Sequence, residues 1–301
     1  MSEIKEDTEI IPNTKRKVFF GLFVFPMLIA VTMAVLLSTV VLLTHEEESP
    51  ESLITAIKTG APSKRWQKAF ELSNELNKQG GMLRSAGIMN EVIHILNDRE
   101  HYDAKTRAYM AMALGRFQSP EAEAALLRAL EQVDDQEDPK LGIFLIWTVG
   151  NMEEALLSVP GYPGTDSNAS LAVVRFLESK HDELRKTAAY VLGALGDKKV
   201  TPALKRSLED PVIDVRWNAA LSLARLGDDS GKEILLQMLD RNRLRMIQMN
   251  EVEIEQVMTN AAKALSLVQN DEARSVLEAL AKTDSSLKVR QAALQALGRL
   301  Q

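Results

Sequence analysis

An acid and a base stand two residues apart in DVRWNAALSLARLGD, the stretch at residues 214–228. Asp214 and Arg216 have the side-chain types that transfer protons or stabilise charge in an active site. The same pairing occurs earlier, where Glu183 precedes Arg185 by two residues. Because a catalytic pair is not expected to recur along a chain, the recurrence indicates that these charges belong to a repeated structural unit.

Other residues with chemical potential give weaker signals. His94, Asp98 and His101 would align as metal ligands on one continuous helix, but LNDREHYD is typical of a break between helices, so we expect them to diverge. Ser285 and Lys288 match the S-x-x-K motif of penicillin-binding enzymes by chance, because no S-D-N follows and the K-T-G stands earlier in the chain. We therefore predict that the protein is not an enzyme and has no catalytic residues, metal, cofactor or evident small-molecule substrate.

The composition excludes further classes of protein. A net charge of −6 argues against nucleic-acid binding, which requires a clustered basic surface. The absence of cysteine excludes disulfides and thiolate metal sites. Long stretches rich in Ala, Leu, Lys, Glu and Arg favour helix, so we expect an all-α protein.

An uncharged run at residues 18–44 predicts a transmembrane signal anchor, since about 20 apolar residues can cross a bilayer as a helix. Basic residues precede the run and acidic residues follow it. By the positive-inside rule, residues 1–17 are then a short cytoplasmic tail and the rest is periplasmic or extracytoplasmic. The prediction is a single-pass protein of the inner (plasma) membrane that contacts the lipid bilayer through this run.

The remainder of the chain repeats one helical unit. Counted from Arg216, apolar or small residues stand at offsets of 3, 4, 7, 10 and 11, and Arg185 is followed by the same spacing. The 3-4-7 spacing is one apolar stripe on a helix. Full or weaker copies, separated by 31 to 43 residues, begin at seven anchor positions: Arg65, Arg107, Gly142, Arg185, Arg216, Met258 and Arg290. A second helical pattern fills each interval, which is typical of a solenoid.

The unit resembles the HEAT repeat, in particular the short bacterial variety also found in phycobilisome lyase subunits. The resemblance is strongest over residues 181–240. It implies an α-solenoid of about six to seven helix pairs at 63–301, preceded by a linker and capping helix at 45–62 and by the transmembrane helix. In HEAT-like proteins such acidic and Arg side chains form a ladder between repeats, a role that the resemblance implies for Asp214, Arg216 and Arg185.

Two segments depart from the repeat and are candidate partner-binding sites. One segment, SVPGYPGTDSNAS (158–170), carries Tyr162 and Asp166 in a predicted loop. A plain connection between helices explains this loop equally well. The other segment, at 240–256, carries alternating arginines. With two cations of the preceding second helix they could form a basic strip, or they could merely be a solvated surface: Lys205, Arg206, Arg241, Arg243 and Arg245.

These patterns predict a membrane-anchored scaffold that binds one or more partner proteins, as an accessory subunit of a cell-envelope membrane complex. Two alternatives stay open. One is an enzyme subunit resembling the HEAT-type lyases. The other is a membrane-tethered adaptor whose repeats face the cytosol.

Overall fold

A computed structural model of the protein describes residues 23–44, 49–78, 85–156, 168–268 and 271–299. These ranges contain sixteen α-helices and three short 3₁₀ helices, with no strand among them. The chain divides into two compact units, residues 1–49 and residues 50–301. The expectation of an all-helical protein is confirmed for the described residues.

The first unit contains one described helix, α1 (Phe25–Thr44). The second unit contains the fifteen others, which follow one another as α2 (Pro50–Thr59), α3 (Pro62–Lys78), α4 (Ala86–Asn97), α5 (Ala104–Leu114), α6 (Pro120–Gln132), α7 (Pro139–Leu156), α8 (Asn168–Val174), α9 (Asp182–Leu195), α10 (Thr201–Arg206), α11 (Ile213–Arg225), α12 (Lys232–Met238), α13 (Arg241–Met246), α14 (Glu251–Leu265), α15 (Asp271–Thr283) and α16 (Leu287–Arg299).

The helices of the second unit form a layered array, as an α-solenoid does. Seven of them contact one another in succession and make a first layer: α3, α5, α7, α9, α11, α14 and α16. The intervening helices pack beside them, with α2, α4, α6 and α8 in contact along a second layer. Each of the seven anchor positions falls on one first-layer helix, so the sequence period identifies this layer.

Small residues set the close spacing within the first layer. Ala188 and Ala189 on α9, and Ala219 and Ala220 on α11, are completely buried. Between these two helices, the Ser222 hydroxyl donates a hydrogen bond to the Ala189 carbonyl at 2.7 Å. Alanine at these places removes side-chain bulk and favours helix, which brings successive repeats together.

Loop residues end one helix and begin the next. Gly196 and Gly227 have φ of 76° and 78°, the left-handed conformation that glycine adopts without a steric cost. Asp103 accepts hydrogen bonds from the backbone amides of Lys105 and Thr106 and so caps α5. Local sequence therefore places the helix ends as well as the helix faces.

No helix among the described residues combines the length and apolarity needed to cross a membrane. This finding contradicts the predicted location, a single-pass inner-membrane protein with periplasmic repeats. Residues 18–22 of the predicted span lie outside the described residues.

Candidate functional site

Arg185 and Asp210 form an ion pair between adjacent repeats. The Nε of Arg185 donates to Asp210 Oδ2 at 2.7 Å, and its Nη2 donates to Oδ1 at 3.1 Å. Burial of Asp210 acts to raise its pKa, but the hydrogen bond from Arg185, the Val212 amide and nearby positive charge outweigh burial and hold the pKa below its usual value. Arg216 Nη1 then donates to the Asp210 carbonyl at 2.7 Å.

The ladder carboxylate is therefore Asp210 rather than the predicted Asp214, which is exposed in the first turn of α11. Asp210 stands in the connection between repeats, where its side chain reaches back to Arg185 on α9, whereas the side chain of Asp214 faces solvent. Both predicted arginines do lie on this connection, Arg185 through its contact with Asp210 and Arg216 through the Asp210 and Pro211 carbonyls.

The same arrangement recurs further along the array. Arg241 Nη2 lies 2.7 Å from Asp284 Oδ1, and Arg290 Nη1 donates to the Asp284 carbonyl at 2.6 Å. The hydrogen bond from Arg241 to Asp284 raises the pKa of the guanidinium above its ordinary value. Arg290 thus occupies a position equivalent to that of Arg216, although Lys288 replaces the acid two residues before it.

Most side chains of the predicted basic strip have intramolecular partners. Lys205 lies 2.8 Å from Asp228, Arg206 lies 3.5 Å from Glu178, and Arg245 lies 2.8 Å from Glu251. Arg241, paired as above, also contacts Glu251. Arg243 is exposed, and it lines a small cavity beside Trp217. Four of the five cations therefore have acidic partners within the chain, and Arg241 and Arg245 share Glu251.

The remaining predicted residues are the two from the 158–170 segment and the possible metal ligands around Asp98. Tyr162 and Asp166 lie outside the described residues. Asp98 accepts hydrogen bonds from the Glu100 and His101 amides in the connection between α4 and α5, and its carboxylate lies 3.0 Å from His101 Nδ1. This side-chain hydrogen bond is the main reason why the pKa of Asp98 lies below its usual value. No group of three or more potential metal ligands occurs in the described ranges.

A row of aromatic side chains crosses four consecutive first-layer helices, and we call it the aromatic row: Trp66, Phe70, Tyr109, Phe144, Trp147 and Tyr190. The ring centroids of Phe70 and Tyr109 are 5.4 Å apart, and those of Tyr109 and Phe144 are 5.9 Å apart, both in edge-to-face geometry. Trp147 and Tyr190 are 5.1 Å apart. Rings at these distances attract one another beyond simple burial, so the row links α3, α5, α7 and α9.

The aromatic row is open to solvent at two of its rings, and positive charge lies beside it. Phe70 and Trp147 are 43% and 41% exposed. The Lys105 ammonium lies 3.1 Å from the centroid of the Trp66 ring, and the Arg225 guanidinium lies 4.9 Å from that of Tyr190. Cations over ring faces are favourable, and here they leave an apolar surface with a basic border.

A cavity of about 400 Å³ opens beside the aromatic row where α3, α5 and α7 meet. Phe144 and Trp147 form its apolar wall, and Arg116 supplies a cation. Its remaining polar lining is neutral, from Asn77, Gln118, Thr148 and Asn151. The Nε of Arg116 is buried and has no hydrogen-bond partner among the described residues. The described lining of the cavity therefore combines a flat apolar wall with one guanidinium group.

The aromatic row was not predicted from the sequence. A signal was present in the repeat alignment. Relative to the seven anchors, core residues stand at offsets 3, 4 and 7, whereas aromatic residues recur at offsets 1, 2 and 5. At about 100° per residue those offsets lie on nearly the opposite side of the same helix, so an aromatic at offset 5, such as Phe70, Trp147 or Tyr190, points to a shared surface.

Two repeat families match parts of the chain. The family described as HEAT repeats matches residues 171–250, and the PBS lyase HEAT-like repeat matches residues 106–132. The second match covers most of α5 and all of α6, including Arg116 and Gln118 of the cavity. The chain therefore contains HEAT-like repeats, in agreement with the predicted resemblance.

Two characterised proteins are similar over about half of the chain. A HEAT repeat-containing taxis protein of Halobacterium salinarum is 29% identical over 171 residues, which is 54% of this chain and 41% of that protein. Phycocyanobilin lyase subunit alpha of Nostoc sp. is 30% identical over 148 residues, 48% of this chain and 39% of that protein. The chain thus matches about two fifths of the length of these relatives.

Among solved structures, the complex of CpcE and CpcF of phycocyanin lyase from Nostoc sp. contains a similar chain, with a TM-score of 0.51 and 18% sequence identity. The match covers 84% of this chain and 94% of that one. At this identity the likeness concerns the fold, and it supports the predicted HEAT-like solenoid.

The prediction that the protein is not an enzyme needs correction. The absence of known catalytic motifs led us to predict that the protein is not an enzyme, and the similarity to a lyase subunit contradicts that prediction. The reason is general: a repeat array can serve as a subunit of an enzyme without carrying a recognisable catalytic motif, because fold and function are separable.

Proposed function

We propose that residues 50–301 form a HEAT-type binding subunit that docks a partner protein on the aromatic row. The observation that carries the proposal is the exposure of Phe70 and Trp147 in a row of neighbouring rings that extends across four helices. A protein that served only its own stability would bury these rings, because each offers a large apolar surface.

The composition of the row is that of a protein-binding surface. Aromatic and Arg side chains are enriched in the energetically important centre of interfaces, and charged residues stand at the rim. Here the rings lie centrally, and Lys105 and Arg225 lie at the two ends. The same layer is rigid because its helices are fixed by buried small residues, so little ordering is required on binding.

Site-specific photocrosslinking in cells tests this proposal. A photoreactive phenylalanine analogue at Phe70 is expected to give a discrete adduct with one protein. The matched control is the same analogue at Leu294, which is 59% exposed on the first-layer helix α16. Equal adduct patterns at the two positions would reject the aromatic row as the docking surface.

A second candidate function is a lyase-type subunit that acts on a bilin, as the name of the Nostoc relative states for that protein. The observation that favours it is the PBS lyase repeat match over residues 106–132, which lies at the cavity. Phycocyanobilin added to the purified chain tests it. A changed absorption spectrum that persists through gel filtration is expected from this candidate, and an unchanged spectrum excludes binding by the chain alone.

A further inference from the structure

We propose that the cavity beside the aromatic row binds a small organic carboxylate with a flat apolar body. The carboxylate would accept hydrogen bonds from Arg116, and the apolar body would lie against Phe144 and Trp147. This inference concerns the chain by itself and does not require that a protein docks on the aromatic row.

The first argument is the state of Arg116. Its Nε is buried without a partner among the described residues, and a buried donor left unsatisfied costs free energy. A guanidinium binds a carboxylate through two parallel N–H donors, and Arg116 is the one cationic residue among the described residues that line the cavity. The residue therefore favours an anion over a neutral ligand.

The second argument is the charge of the lining. Among the described residues that line the cavity there is no Asp or Glu, although the chain as a whole has a net charge of −6. Asn77, Gln118 and Asn151 provide neutral donors and acceptors around the guanidinium. In such surroundings an incoming anion meets no like charge in the lining, and the amide groups can bind its second oxygen.

The third argument is size and shape. About 400 Å³ lies within the range of small-molecule sites, which are mostly apolar and carry a few placed polar groups. Phe144 and Trp147 stand three residues apart on α7, so they are neighbours on one helix face. Gln118, at the rim, has a φ of 47°, a left-handed conformation that is rare outside glycine.

The test compares a pair of probes on the full 301-residue chain. Naphthoate carries the carboxylate, and naphthamide is its neutral counterpart with the same flat body. By titration calorimetry, naphthoate is expected to bind at least about tenfold more tightly, since a charged hydrogen-bonded pair contributes more than a neutral one. Equal affinity for the two probes, or no binding of either, overturns the proposal.

Substitutions in the cavity test whether the probes bind there. R116Q is expected to weaken naphthoate to the level of naphthamide, and W147A is expected to weaken both probes alike. The control R128Q removes an exposed arginine of α6 and should leave both affinities unchanged. R116K keeps the charge but not the paired donors, so an intermediate affinity for naphthoate is expected. This variant replaces R116Q in the test if R116Q does not fold. Naphthoate binding that is unchanged in R116Q or R116K contradicts the assignment.

Discussion

Arg185 reaches across to the next repeat and holds Asp210 with two hydrogen bonds, of 2.7 and 3.1 Å. The side chains are only 12% and 9% exposed, so the pair lies largely out of water. The Asp210 carboxylate also accepts a hydrogen bond from the Val212 amide, and the Asp210 carbonyl accepts one from Arg216. Asp210 therefore fixes the connection that precedes α11 and joins it to α9.

Loss of this carboxylate should destabilise the array. D210N leaves Arg185 largely buried without its counterion, and the free energy of unfolding is expected to fall by about 3 kcal/mol. The control D214N changes the exposed acid four residues later and should cost less than about 0.5 kcal/mol. Urea denaturation followed by circular dichroism measures both. Equal effects would show that Asp210 is not the ladder residue.

The same pair predicts an acid dependence of stability. Because the folded-state pKa of Asp210 lies below its value in an unfolded chain, about 3.9, its contribution is present above that pH and is lost as the pH falls through the folded pKa. The stability of the wild type should therefore decline more steeply below about pH 4 than that of D210N. Parallel curves for wild type and D210N would contradict this account, and D214N should follow the wild type.

Charge reversal should distinguish the arginines of the 240–256 segment. R241E places a carboxylate against Asp284, whose side chain is 5% exposed, so the melting temperature should drop by several degrees, a loss of about 3 kcal/mol or more. R243E acts on an exposed side chain and should change stability by less than about 0.5 kcal/mol. Similar melting temperatures for the two variants would mean that the ion pair with Asp284 has no structural role.

Close helix contact should make one glycine irreplaceable. A Cβ at Gly193 would stand 2.7 Å from the Ser222 Cα, a backbone atom that cannot move by itself. G193A is expected to cost about 2 to 3 kcal/mol by overpacking. In the control, Gly298 on α16 has nothing within 4 Å of the added Cβ, and G298A should be neutral or slightly stabilising because alanine favours helix. If G193A is as stable as the wild type, the α9 and α11 contact is looser than described.

The period of apolar residues was enough to predict the helical array, because the 3-4-7 spacing is a property of one helix. Pairing between repeats was harder. Asp214 and Asp210 are both close to Arg216 in sequence, and only the fold shows that Asp210 faces Arg185 while Asp214 faces solvent. The cavity at Arg116 is formed by three helices, so no local pattern could predict it.

The most direct test of the central proposal is the affinity of the partner recovered by crosslinking for the double variant F70A/W147A. Both rings are more than half buried, so the variant should lose some stability, but below its melting temperature it should keep its circular dichroism spectrum while its Kd rises about a hundredfold, as expected for two central contacts. The control L287A/L294A removes two exposed apolar side chains of α16 and should leave the Kd unchanged. An unchanged Kd for F70A/W147A would contradict the proposal that the aromatic row is the docking surface.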